Sequence, residues 1–138
     1  MPVMMDESIY GLADIDIAGA IAGIGFVKQK LKKLASLDLL GQGLARIRER
    51  SMRPVLGDGT SSDLQCWMEA CVALTTIDNA GEMNGFLKPK TRLLANPLPF
   101  ENGAIVVPEG YWPVIDEDVL KAHTLATERI APARVATP

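Results

Sequence analysis

The chain has 138 residues, of which 48% are apolar, 22% charged and 5% aromatic, the composition of a single globular domain with a modest core. A net charge of −3 excludes bulk attraction to nucleic acid, and the longest uninterrupted apolar stretch, 17–27, is too short for the ~20 residues of a membrane-spanning helix. Cys66 and Cys71 would stand about 140° apart on a helix and are expected as reduced thiols, and the acidic N-terminal stretch is unlike a secretory leader; both features suit synthesis in the cytoplasm.

The charge is laid out in blocks. Residues 1–27 carry four acids and no base, 28–53 carry eight bases against Asp38 and Glu49, and the remainder has a net charge of −5.

The spacing of Ile17, Ile21, Ile24, Val27, Leu31 and Leu34 follows one helical face and predicts a helix over 14–35. Gly19, Gly23 and Gly25 weaken it by roughly 1 kcal/mol each relative to Ala, so it depends on packing from elsewhere. Ser36 caps a second helix with the apolar stripe Leu37, Leu40, Leu44 and Ile47; Arg46, Arg48 and Arg50 lie near its C-terminal end, and it closes before Pro54. After a turn at 57–62, Ser62 or Asp63 caps a third helix. Leu64, Trp67, Met68, Cys71, Leu74 and Ile77 form one face of it, and Gly81 ends it. Beyond Gly85, five prolines between 89 and 113 forbid long helices and central strands, so an extended arm is expected. Within it, 91–94 pairs with 104–107 through an Asn102-Gly103 turn. A last short helix runs over 116–129 with acids in its first turn, and 131–138 reads as a tail that needs a partner.

Three constellations invite a functional reading. Small apolar residues followed by lysines over 17–34 resemble a membrane-active amphipathic peptide, with Gly19-x-x-x-Gly23 admitting a second backbone at close range; a helix buried in a subunit interface or core, with the lysines as its solvated end, is the favoured alternative. The bases of 28–53 lack interleaved aromatic residues, which favours a solvated helix face or an acidic protein partner and leaves a nucleic-acid contact open. Gly110-Tyr111-Trp112-Pro113 places large rings on the arm, suited to anchoring an interface or to covering the chain's own helices. Cys66 or Cys71 with His123 as base lacks a supporting pattern, and one His with two Cys makes no tetrahedral metal set.

The expected architecture is mainly α: a helical domain over 1–86 with three helices, then an extended proline-rich arm over 87–138 with a minor β-hairpin and a terminal helix. With no catalytic or cofactor fingerprint, no cofactor is assigned. The expected function is a non-enzymatic structural or assembly subunit of a larger particle, most concretely a bacteriophage virion component, located in the virion or the cytoplasm. Its partners are other protein subunits, in a homo-oligomer or a multi-protein assembly. Gly19, Gly23, Ile21, Ile24, Arg46, Arg48, Arg50, Tyr111 and Trp112 are the candidate partner-binding residues. The alternative is a peripheral membrane-binding or membrane-perturbing protein acting through 17–34, and a small enzyme ranks third.

Overall fold

A computed structural model describes residues 1–128. Short apolar runs alternate with helices: strand β1 (Val3–Met5), helix α1 (Leu12–Gly19), strand β2 (Ile24–Gln29), the single turn α2 (Leu31–Leu34), helix α3 (Leu37–Glu49), strand β3 (Arg53–Leu56) and helix α4 (Asp63–Thr76). The three strands form a parallel sheet in the order β1-β2-β3, with Met5 opposite Val27 and Gln29 opposite Leu56. A parallel bridge between Gly57 and Glu82 continues this order, so a fourth segment, reached through α4, lies beside the end of β3. Strands joined in parallel through helices make an α/β architecture.

The mainly α expectation is therefore corrected, and its failure starts at 14–35. That stretch is divided among the end of α1, a turn, β2 and α2. Glycines at 19, 23 and 25 remove helical stability, while Ile24, Phe26 and Val27 suit a pleated surface, so tertiary pairing overrides the helical spacing. Ile17 is 63% exposed while Val27 is fully buried, so the six residues do not share a face. The membrane-perturbing reading of 17–34 falls with the helix it required. Among the described residues no helix is long and apolar enough to cross a membrane.

Helices α1 and α3 pack on the sheet through Ile9, Ile15, Ala18, Val27, Ile47 and Met52. A second cluster, Leu34, Leu40, Leu44 and Leu56, joins α3 to β3, with Val72, Ala73 and Ile77 against it. The local caps follow expectation: Ser36 Oγ accepts from the Leu39 N–H and Ser62 Oγ from the Gln65 N–H. Helix α4 stops at Thr76, short of Gly81, and buries Asp63, Cys66, Glu69 and Ala70 rather than the expected stripe, leaving Leu74 68% exposed.

The segment after Gly85 is not an arm awaiting another chain. Asp63 accepts from the Leu93 and Leu94 N–H groups, both at 3.0 Å, and Asp58 accepts from those of Gly85 and Phe86. Trp112 meets Trp67 of α4 edge-on at 5.4 Å, and Phe86 meets Phe100 at 6.0 Å. Prolines limit secondary structure here, but side-chain carboxylates replace the missing ladder partners. The hairpin turns at Asn102-Gly103 as expected but is shorter, strand β4 (Phe100–Glu101) pairing with β5 (Ala104–Ile105), while Leu94 bridges Ile115 instead. Helix α5 (Glu117–His123) is capped by Asp116 and ends well before 129. The tail at 131–138 lies outside the described residues.

Candidate functional site

Parallel strands point their carboxyl ends to one side, and that edge is where α/β folds place ligands. Here β1 runs into Asp6 and Glu7, β2 into Lys30, and β3 into Gly57 beside Glu82. The two-residue period of a strand puts Lys28 and Lys30 on one face. Both ammonium groups turn toward β1: Lys30 Nζ lies 2.9 Å from Asp6 Oδ1 and 2.8 Å from Glu7 Oε1, and Lys28 Nζ 3.3 Å from Asp6 Oδ2. Lys33, from α2, donates to the Asp6 carbonyl at 2.5 Å and to its carboxylate at 3.0 Å. Lys28 also pairs with Glu82, and it crosses to Glu82 over Gly57. A Cβ on residue 57 would overlap the end of the Lys28 side chain and oblige it to shift.

Three lysine side chains exposed by only 6%, 7% and 4% thus face three carboxylates, of which Glu7 is 74% exposed and marks the mouth of the site. Burial works to raise the Asp6 pKa, but hydrogen bonds from Lys30, Lys33 and Lys28 overcome it and hold the carboxyl at about 2. Lys30 shows the converse. Burial opposes its charge, yet Glu7 and Asp6 prevail and its pKa is raised, so it holds its proton in the resting site. The hydrogen bond from Lys30 likewise lowers Glu7.

Behind the strand ends lies a second polar layer. Glu69 of α4 is fully buried; its Oε1 accepts from the Leu31 N–H at 2.6 Å, and among the described residues its Oε2 has no partner, as neither end of the buried Gln29 amide does. Burial pushes the Glu69 pKa up to about 7, with the Leu31 N–H opposing and the Asp58 charge adding to the rise. Asp58 is also fully buried and raised by burial.

The basic block does not form one helix face. Lys28, Lys30 and Lys33 turn inward to the acids of the first block, whereas Arg46 and Arg50 bind Asp16 of α1 at 2.7 and 2.9 Å, and Arg48 donates to the Thr76 carbonyl. Gly19 ends α1 against Arg50; Ile21 is exposed in the turn that Gly23 closes with φ of 91°; Ile24 opens β2 against the core. Tyr111 donates its hydroxyl to the Asn96 carbonyl at 2.6 Å, and Trp112, though on Trp67, is 73% exposed. None of these nine residues supplies a group to the strand-end cluster. Cys66 is buried with its thiol pushed up to about 12, and His123 bonds the Val119 carbonyl of its own helix.

Sequence reading missed Asp6, Glu7, Asp58, Glu69 and Glu82. The available signal was the short apolar run Val3-Met4-Met5 closing on Asp6-Glu7, and Val27-Lys28-Gln29-Lys30 with charge at alternate positions, both marks of strand ends.

No family model and no curated protein matches the chain. Among solved structures, N-succinyl Arg/Lys racemase from Bacillus cereus superposes with a TM-score of 0.76 at 18% identity, over 91% of this chain and 34% of that one. Muconate lactonizing enzyme from Pseudomonas putida gives 0.74 at 20% identity, over 88% and 35%. A dipeptide epimerase from Methylococcus capsulatus, complexed with Mg ion, gives 0.69 at 20% identity, over 76% and 31%. These likenesses establish the α/β fold, and the chain spans about a third of the length of those structures. They also overturn the reading as a non-enzymatic virion or assembly subunit, since the proteins that share the fold are enzymes.

The magnesium of the epimerase prompts a test of fit. Among the described residues no group of three or more His, Cys, Asp or Glu stands ready for a metal ion. Asp6 and Glu7 already face three ammonium groups, which repel a divalent cation. The described residues do not by themselves fit that ion.

Proposed function

We propose that the strand ends of this chain form one wall of an enzyme site that transfers a proton at a carbon bonded to a carboxylate, with Lys30 carrying the proton. The observation that carries this reading is the Lys30 ammonium, 7% exposed, held between Asp6 and Glu7 at the carboxyl edge of a parallel sheet. The structural neighbours support it. Racemisation and epimerisation of amino-acid derivatives break and remake a C–H bond beside a carboxylate, and sites of the enolase superfamily, to which these neighbours point, use a Lys or His base. Lys30 rather than Lys28 is assigned the role because it follows the last residue of β2, at the carboxyl edge itself and held by both Asp6 and Glu7, while Lys28 lies two residues earlier on the strand and pairs with Asp6 and Glu82.

In the resting site Lys30 is the acid, and it returns a proton to the carbon in one direction. In the other it acts as base after losing its proton, so exchange should accelerate as pH rises above neutrality. Lys28 and Lys33 balance Asp6 and keep Lys30 in place. The two free cysteines suit action in the cytoplasm.

The test is incubation of the protein in D2O with N-acyl amino acids, dipeptides and 2-hydroxy acids of defined configuration, followed by proton NMR and polarimetry. Loss of the α-proton signal with at least one class is expected. Absence of exchange above the protein-free rate with all three overturns the proposal.

A further inference from the structure

We propose that Glu69 is the positioning residue for Lys30: fixed on α4, it grips the Leu31 N–H and so sets where β2 ends and where the Lys30 side chain leaves the strand. The inference rests on the role given to Lys30 above. Leu31 is the first residue of α2, a helix of one turn whose cap residue is Lys30 itself, and Lys30 offers no side-chain acceptor to the exposed N–H groups. That acceptor comes instead from 38 residues further along the chain, at 2.6 Å. Helix α4 is a firm base for it, capped by Ser62 and tied through Asp63 to Leu93 and Leu94.

Stability alone does not account for this residue. Glu69 is fully buried, its Oε2 meets no donor among the described residues, and burial together with the Asp58 charge disfavours its ionised form. A buried carboxyl kept at such a cost, one residue from a candidate proton carrier, is the kind of group found where geometry matters to chemistry. The charged and titratable groups around it are Asp58 beyond β3, Lys32 of α2 and the Cys66 thiol of α4, with the Gln65 amide donating at 3.5 Å. Ionisation strengthens the bond to Leu31, because a carboxylate accepts more strongly than a neutral acid. Glu69 titrates near 7, so the tether to Lys30 tightens as pH rises through neutrality.

The direct test is a ¹H–¹⁵N NMR titration of the full chain from pH 5 to 9. The Leu31 amide should shift with a midpoint near 7, with a smaller movement at Lys30, and both should be flat in Glu69→Gln. A Leu31 amide that does not move, or moves equally in Glu69→Gln, overturns the inference; the wild-type titration decides this even if the variant fails to fold. This readout needs no turnover, so it is separate from the fate of the proposed reaction. Where α-proton exchange is measurable, Glu69→Gln should lower its kcat about tenfold with little change in KM and remove the pH limb near 7, while the Tm at pH 8 is no lower than wild type. An unchanged profile counts against the positioning role.

Discussion

Asp6→Ala is expected to destabilise the protein at pH 7 by about 3–5 kcal/mol, the cost of leaving buried charges without their counter-ion. Asp6 is the hub of the strand-end cluster, meeting Lys28, Lys30 and Lys33, all nearly buried. Without it, Glu7 and Glu82 at the rim must balance three ammonium groups. The same carboxylate gives a pH signature. Its folded pKa, about 2, lies below the ordinary value of 3.8, so its stabilisation is fully present above the unfolded pKa and disappears as pH falls through the folded one. A shift of that size corresponds to about 2 kcal/mol. Urea unfolding of wild type and Asp6→Asn should therefore differ by about this amount at pH 7 and converge near pH 2. A difference that stays constant between pH 7 and 2 would show that Asp6 is not held by the lysines.

Gly85→Ala is expected to cost roughly 4 kcal/mol or prevent folding, among the largest effects a single substitution has. A Cβ at this position would lie 1.2 Å from the Gly59 carbonyl oxygen and 2.9 Å from Asp58 Oδ1, both part of the contact that docks the C-terminal segment on the end of β3. Only a backbone shift relieves that overlap, and the shift would free the Gly85 and Phe86 N–H groups from Asp58. Gly11→Ala, with nothing within 4 Å, serves as the control and should change stability by under about 0.5 kcal/mol. Thermal unfolding of the two variants checks the contrast; equal effects would mean the docking contact is not formed.

Local chemistry was legible in the sequence. Ser36 and Ser62 cap helices as their types require, and Asn102-Gly103 turns the hairpin, because each rests on interactions within four residues. What was not legible depends on pairing across the chain. Ile17 to Leu34 satisfies a helical spacing, and only the partners Val3–Met5 and Arg53–Leu56 make 24–29 a strand. Pro54, read in the sequence only as the limit of the preceding helix, lies within β3. It is tolerated because β3 pairs with β2 on one side and on the other meets a single bridge at Gly57. The site went unseen for the same reason. Asp6 and Lys30 lie 24 residues apart and belong to different charge blocks, and only the parallel register brings them together. The blocks themselves were the trace of it, acids ending one strand and lysines ending the next.

The account stands most directly on the rate of α-proton exchange in D2O for Lys30→Met set beside Lys33→Met. Each variant removes one ammonium group from the Asp6 and Glu7 carboxylates, while Lys30 is the one hydrogen-bonded to Glu7, at 2.8 Å against 3.8 Å for Lys33. A loss of about 10²–10⁴-fold for Lys30→Met is predicted, the usual worth of a general acid–base group, against less than about tenfold for Lys33→Met. Equal losses in the two variants, or a wild-type rate in Lys30→Met, would contradict the assignment of proton transfer to Lys30.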